Sequence, residues 1–303
     1  MLLHEFINLT YNKQRLIEYL CEKKVIRREI TCPQCNTVIN ITYESKRQIL
    51  HCSNKYYKQV RGRKKQRKTC NFKISIFHGT WFAKQHLAMV DVCRFIAYFL
   101  YIHPPRHTFL RQELQITDHT IVDWTNFCRE LLMQWVTDHQ QQIGGRGIIV
   151  EIDEAKLGRR KHNKGRIVEG QWVFGGIERD SHKFFIVPVP NRSSHTLIPI
   201  ITRYIAPESI IHSDCWKAYS ELHNLNYQHE TVNHKKNFID PTTGAYTQNI
   251  ERLWREMRAA IPRYGTRTYH YQAYLAEFMF KKYYKFNERI DSFFQIMSKA
   301  YPL

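Results

Sequence analysis

The chain has 303 residues, with 46 Lys and Arg against 27 Asp and Glu, a formal charge of +19 with its 16 histidines neutral. Apolar residues at 43% and aromatics at 14% exclude an intrinsically disordered polymer, and charge breaks the apolar stretches well short of the ~20 residues a membrane-spanning helix needs. The opening MLLHEFINLTYNKQR lacks the pattern of a secretory leader and eight cysteines are too sparse for a disulfide scaffold, so the expectation is a soluble intracellular protein whose surface suits a polyanion, nucleic acid before membrane.

In chain order, KQRLIEYLCEKK (13–24) predicts a short amphipathic helix. Residues 31–82 change character: cysteines, β-branched Val38, Ile39, Ile41 and Thr42 and a basic run predict short strands and turns. From about Lys84 the period is helical, with Leu87, Val90, Val92, Phe95, Ile96, Phe99 and Leu100 on a wide apolar face that ends at His103-Pro104-Pro105. Two more helices are predicted over about 106–114 and 118–139, with Thr117 as N-cap of the second. Gly144, Gly145 and Gly147 then break the helical region and mark a domain boundary. Beyond them GIIVEIDE reads as a buried strand, QWVFGGIER and KFFIVPVP as a hairpin, and 194–206 as a helix. SIIHSD is another strand, CWKAYSEL starts a helix, and 247–261 forms an amphipathic helix with Ile250, Leu253, Trp254, Met257 and Ile261 on one stripe. Strands and helices in this order predict a mixed α/β layer.

The positive charge is clustered. Residues 44–73 hold eleven Lys or Arg and a single acid, densest in RGRKKQRK: Arg61, Arg63, Lys64, Lys65, Arg67 and Lys68. A second cluster, Lys156, Arg159, Arg160, Lys161, Lys164 and Arg166, contains no acid, and a third lies at Arg252, Arg255, Arg258 and Arg263. The plainer reading of any one run is a solvated loop or a nuclear-import signal, and RGRKKQRK alone is balanced between that and phosphate binding. Together they suit a phosphate backbone, because every Lys or Arg that neutralises a phosphate releases condensed counterions.

Cys32-Pro-Gln-Cys35 is a CxxC knuckle, and Cys52 and Cys70 lie further along the same strand-rich segment. Four thiolates close a tetrahedral zinc shell, which stabilises a region too poor in apolar residues to fold alone. Here 17 residues separate Cys52 from Cys70, so the basic run reads as a loop inserted into the second knuckle. A redox CxxC, free buried cysteines, or His51 in place of one ligand are the alternatives; Cys21, Cys93, Cys128 and Cys215 read as ordinary structural cysteines.

Three acids stand out. Asp153 ends one apolar strand, Asp214 ends another, and Glu251 begins the late helix, with 60 residues between the first pair and 36 between the second. Three convergent carboxylates can hold two Mg²⁺ ions across a phosphodiester. Each acid also has a plainer role: a turn cap at Asp153, a helix cap at Asp214, an i+4 pair with Arg255 at Glu251. Alternation puts Glu151 on the face of Asp153 and Glu154 on the opposite one, while Glu256 points elsewhere than Glu251 on the helix.

EIDEAKLGRRKHNKGRIVEGQWVFGGIERD, IIHSDCWKAYSEL and VNHKKNFIDPTTGAYTQNIERLWREMRAAIPRYG together resemble Merlin-type DNA transposases and their bacterial insertion-sequence relatives with an ISXO2-like DDE domain; TCNFKISIFHGTWF is similar to the segment closing that family's N-terminal zinc-ribbon region. The resemblance covers about Thr31 to Tyr284. It implies an α/β, RNase H-like (retroviral-integrase-type) catalytic core, cut-and-paste transposition, and binding to terminal inverted repeats. Residue by residue it makes Asp153, Asp214 and Glu251 the catalytic, metal-holding triad, with supporting roles for Asn249 and His234. The domains then read as 1–30, an N-terminal helical segment; 31–82, a zinc-ribbon-like region with a basic insertion; 83–143, a helix-turn-helix-like DNA-binding region; 144–290, the catalytic domain; and 291–303, a tail.

The combined expectation is a DDE transposase using two Mg²⁺ (or Mn²⁺) ions per active site and a structural Zn²⁺ on Cys32, Cys35, Cys52 and Cys70. Its partner is double-stranded DNA, both inverted repeats and target. The RGRKKQRK residues together with Lys156, Arg159, Arg160, Lys161, Arg252 and Arg255 are the expected phosphate contacts, and His119, Thr120 and Asp123 face a groove if the helix pair reads bases. Two transposon ends require two active sites, hence a homodimer or higher assembly, and the eukaryotic-looking match implies a nuclear location. The rival expectation is a domesticated, non-catalytic protein that binds DNA through its zinc and basic regions.

Overall fold

A short helix, a β-rich cysteine segment and a helical stretch precede an α/β layer in the sequence, and the computed structural model has that order. It describes residues 1–41, 49–58, 66–83, 85–158, 170–234, 236–262 and 266–303. Helices α1 (Leu3–Thr10) and α2 (Lys13–Glu22) are followed by strands β1 (Glu29–Thr31), β2 (Val38–Asn40), β3 (Ile49–His51), β4 (Lys55–Lys58), β5 (Gln66–Thr69) and β6 (Lys73–Ser75). Then come α3 (Met89–Tyr101), α4 (His107–Leu114), α5 (Asp118–His139), β7 (Ile143–Gly144), β8 (Ile149–Leu157), β9 (Gln171–Glu178) and β10 (Phe184–Val189). The chain ends with α6 (Ser194–Tyr204), β11 (Ile205–Ala206), β12 (Ile210–Asp214), β13 (Gln228–Val232), α7 (Gln248–Ala260), α8 (Tyr271–Tyr283) and α9 (Arg289–Ala300). No described helix is long and apolar enough to cross a membrane.

Two compact units form: residues 1–102, 107–124 and 284–303 in one, and 103–106 with 125–283 in the other. In the first, aromatic side chains join the helices at its two sequence ends: Phe6 meets Tyr19 at 5.6 Å and Phe294 at 5.7 Å between ring centroids. Asp291 accepts from the Tyr19 hydroxyl at 3.0 Å and pairs with Lys23 at 2.6 Å. The segment expected as a C-terminal tail is therefore a packed helix, α9, whose Ile290, Phe293, Phe294 and Met297 are buried. Thr117 caps α5 as expected, its hydroxyl accepting from the Thr120 amide at 3.2 Å. His119 is almost fully exposed and pairs with Asp123 at 3.1 Å.

The second unit is built on one five-stranded sheet in the order β10-β9-β8-β12-β13. β8, β9 and β10 are an antiparallel meander, whereas β12 runs parallel to β8 and β13 parallel to β12. Numbered within the sheet this is 3-2-1-4-5 with the second strand reversed, the RNase H-like arrangement expected from the resemblance. Alternation along β8 sends Val150 and Ile152 into an apolar core with Phe174, Leu197, Ile201, Tyr219 and Leu222, and sends Glu151 and Asp153 to the face against which α7 packs. The predicted hairpin, the 194–206 helix and the 247–261 helix are all present within a few residues. The helix expected to begin at Cys215 is not: the chain makes 3₁₀ turns at Lys217–Tyr219 and Leu222–Asn224. The Asp214 carboxylate accepts from the Trp216 amide at 2.9 Å and the buried Tyr219 donates to Glu154 at 2.7 Å, tying both ends of the first turn to the sheet.

Candidate active site

β8 and β12 are adjacent and parallel, in register from Ile149↔Ile210 to Glu151↔His212. Two residues further on each strand bring Asp153 level with Asp214 on the same face; Asp214 ends β12 as expected, whereas Asp153 lies at the middle of β8, which continues to Leu157 through its pairing with β9. The two carboxylates repel: burial first, then the charges of Glu154 and Asp214, raises the Asp153 pKa from its ordinary 3.8 to about 7. Glu154, on the opposite face, is also pushed up, by burial and by Asp214, and its Oε1 is buried without a hydrogen-bond partner. Among the described residues, Asp153, Glu154 and Asp214 form no ion pair with a Lys, Arg or His within 4.0 Å.

Helix α7 crosses this edge. The Trp254 indole donates to Asp153 Oδ2 at 3.0 Å, and its ring lies over β9 at Gly175, the residue paired with Asp153. A Cβ at Gly175 would sit 2.7 Å from both Trp254 Cη2 and the Phe185 carbonyl oxygen, so only glycine admits the indole this close. Glu251 stands one turn before Trp254, half-exposed, 3.6 Å from His234 Nε2. Its i+4 partner Arg255 is not engaged; instead the Thr247 hydroxyl reaches it at 3.5 Å and His234 at 2.8 Å. Glu256 pairs outward with Arg252 at 3.2 Å and Lys282 at 2.6 Å, in keeping with its expected direction. The three carboxylates are not gathered to within 4.8 Å of one another; among the described residues only the four cysteines form such a cluster.

Asn249, expected as a supporting residue, donates to Glu151 rather than to Glu251. Beside Asp214 stands an aromatic–cation cluster that the sequence pattern does not mark. The Arg192 guanidinium lies 4.3 Å from the Trp172 and Trp216 rings, and Lys156 Nζ lies 5.3 Å from Trp172. Nothing in spacing marks Arg192, which stands in a loop before α6; only the hairpin and the turn after Asp214 bring these rings together. Of the other expected phosphate contacts, Arg67 and Lys68 lie exposed on β5, and Arg252 and Arg255 lie exposed on α7. Arg61, Arg63, Lys64, Lys65, Arg159, Arg160 and Lys161 lie outside the described residues.

In the first unit Cys32, Cys35, Cys52 and Cys70 come together, their sulfurs all within 4.8 Å. Cys32–Cys70 is 3.5 Å and Cys35–Cys52 is 3.4 Å, too long for disulfides and close to the ~3.8 Å edge of a tetrahedron with 2.3 Å zinc–sulfur bonds. Each knuckle joins a strand pair: β1 pairs with β2 around Cys32 and Cys35, and β3 with β6 around Cys52 and Cys70. The β4–β5 ladder rises between the last two ligands, where the basic loop was expected. The donor set fits zinc. His51, the alternative ligand, is not in the cluster.

The ISXO2-like transposase domain family matches residues 143–282, the span that holds the sheet, Asp153, Asp214 and Glu251. An uncharacterized transposase-like protein of Haemophilus influenzae is 30% identical over 96 residues, which is 31% of this chain and 76% of the relative. The chain belongs to the ISXO2-like, insertion-sequence-type DDE transposases. Among solved structures, the catalytic core of BIV integrase is similar at 15% identity, covering 43% of this chain and 80% of that one, with a TM-score of 0.30. The Mos1 strand transfer complex is similar at 9% identity, covering 62% and 73%, with a TM-score of 0.20.

Proposed function

We propose that this transposase cleaves phosphodiesters at the terminal inverted repeats of a DNA transposon and joins the freed ends to target DNA. The observation that carries the reading is the pair Asp153 and Asp214, level on adjacent parallel strands, repelling each other and left without cationic partners among the described residues in a chain of net charge +19. That donor set fits divalent cations, and Glu251 on α7 is the third carboxylate that would hold them. When bound, two Mg²⁺ or Mn²⁺ ions would supply positive charge to the attacking and leaving oxygens.

The protein's own groups do the rest. Trp254 fixes the direction of Asp153 through its indole N–H, and Asp214 is held by the amide of Trp216. Lys156 and Arg192 present positive charge beside the site for the DNA backbone, and Arg252 and Arg255 do the same from α7. Hydrolysis at the transposon end releases a 3′-hydroxyl, which then attacks a target phosphodiester. Two ends call for two copies of the chain. Cys32, Cys35, Cys52 and Cys70 would hold a zinc ion, which would supply the cross-link that fixes the N-terminal β-rich region for DNA binding. The long blocks flanking the three acids support the Merlin-type branch, and a nuclear location goes with that branch.

The test is cleavage of inverted-repeat DNA by the purified full chain with Mg²⁺ or Mn²⁺. Nicking at the repeat boundary is expected, with loss of at least a thousandfold in Asp214→Ala. Unchanged cutting by that variant refutes the assignment. Repeat binding with no cutting by the unsubstituted chain would establish the non-catalytic alternative.

A further inference from the structure

Two residues before each candidate ligand stands a member of one polar network: Glu151 before Asp153, His212 before Asp214, Asn249 before Glu251. Glu151 is the hub, with 0% of its side chain exposed. It accepts from the Asn249 amide at 2.8 Å, the Ile250 amide at 3.1 Å and the Asn249 side chain at 2.8 Å. From the other side Arg179 reaches it at 3.2 and 3.3 Å. The same guanidinium contacts His212 Nδ1 at 2.9 Å, donates to the Tyr246 carbonyl at 3.2 Å and lies 3.6 Å over the Tyr246 ring. His212 Nε2 in turn meets Glu230 of β13 at 3.1 Å.

We propose that Glu151 is a positioning residue that sets the three-carboxylate site, a role that rests on the cation-binding reading of Asp153, Asp214 and Glu251. Helix α7 begins with orphan N–H groups, and its own N-cap residue, Thr247, makes no capping bond. Glu151 takes that place from the neighbouring strand. A negative charge at this end of the helix also complements its dipole. Because the cap comes from β8, the start of α7 is registered against the strand that carries Asp153. Through Arg179 and His212 the same carboxylate registers β12, which carries Asp214. One buried group thus sets the relative placement of all three elements. Partners that orient ligands in this way commonly govern metal affinity by about 10–100-fold.

An ordinary buried ion pair would affect melting and leave the cation affinity of the folded protein alone. The deciding measurement is Mn²⁺ affinity of the full-length, zinc-loaded protein, read from the electron paramagnetic resonance signal of the free ion, beside a melting curve. Glu151→Gln keeps the acceptor for the helix amides but loses the ion pair, and is expected to weaken Mn²⁺ binding about tenfold. Asn249→Ala, a milder change at a part-exposed position, is expected to weaken it several-fold with melting nearly unchanged. Asp214→Ala separates the two ideas: if it leaves Mn²⁺ binding intact, the cation-binding reading itself falls. If Asp214→Ala weakens binding while folded Glu151→Gln and Asn249→Ala bind as tightly as the parent, the positioning role is overturned. Should Glu151→Gln fail to fold, unchanged affinity in Asn249→Ala alone overturns it.

Discussion

Replacing Asp153 by Asn should stabilise the magnesium-free protein, and increasingly so as pH rises. The carboxyl's pKa is raised from 3.8 to about 7, first by burial and then by Glu154 and Asp214. A raised acid pKa means that the folded state prefers the protonated form, so stability is lost as pH climbs above the unfolded value and the loss levels off above the folded one. At about 1.4 kcal/mol per pKa unit, the charged carboxylate costs on the order of 4 kcal/mol above pH 7, of which roughly 1.5 is already present at pH 5. Asn keeps an oxygen for the Trp254 indole and carries no charge. From pH 5 to pH 8 its advantage over the parent should therefore widen by about 2–3 kcal/mol, or roughly 5–10 °C in the melting temperature of a unit this size.

Scanning calorimetry at the two pH values reads this gap, in buffers free of magnesium and of chelators so that any zinc stays in place. Adding Mg²⁺ at pH 8 should raise the parent and leave Asp153→Asn nearly unmoved, closing the gap, because a bound cation stabilises only the chain that holds it. A gap that is constant with pH, or that narrows toward pH 8, refutes the idea that the carboxylate is held charged in a hostile place.

Three other outcomes follow from the geometry. Glu277 is fully buried; against desolvation, Arg106, Lys281 and Arg129 hold its carboxyl well below the usual range, so Glu277→Ala should cost about 3–5 kcal/mol in urea unfolding, and a loss below 1 kcal/mol would refute the buried-pair account. Protein purified without chelator should carry one zinc per chain, lost in Cys35→Ser along with protease resistance of the strands at 29–40 and 66–75; a zinc-free native preparation would end that assignment. Arg192→Ala should weaken DNA binding uniformly across sequences and lower the salt dependence of the logarithm of affinity by about one, whereas an unchanged slope would mean that the guanidinium only packs between its two indoles.

The site was legible in the sequence where the signal is local. Asp153 and Asp214 each close an apolar run and the cysteine knuckles announce themselves, but only Asp214 ends its strand; β8 continues past Asp153 to Leu157 because β9 pairs with it that far. Face assignment along β8 also followed from alternation, so Glu151 and Glu154 fell on their proper sides. What stayed hidden depends on tertiary contact. Arg179 and His212 look like unremarkable strand residues until β8, β9 and β12 are laid side by side. Gly175 reads as half of a GlyGly pair in a hairpin, and only the Trp254 ring above it explains why no side chain fits. The helix expected after Asp214 failed for a related reason: propensity does not see that Tyr219 must reach Glu154 across the core. Residues 291–303 read as a tail because the partners of Phe294 in α9, Phe6 and Tyr19, lie near the opposite end of the sequence.

The distribution of charge pairing separates structural from functional acids more sharply than burial does. Glu277 and Glu151 are the most deeply buried carboxylates with cationic partners, and arginine meets each of them directly. Such pairing is what a basic chain supplies easily, with 46 cationic side chains against 27 acids. Asp153, Glu154 and Asp214 lie within the same sheet and, among the described residues, are left unpaired and mutually repelling. A fold selected only for stability would place one of its many arginines here or replace an acid by an amide. Arg192, whose charge reaches Glu154, is instead held against two tryptophans beside the site and forms no ion pair with the acids. An arrangement that leaves Asp153 and Asp214 without a paired protein cation among the described residues leaves their charge for a cation from solution, and the gap between Asp153→Asn and its parent measures how much stability the fold gives up to do so.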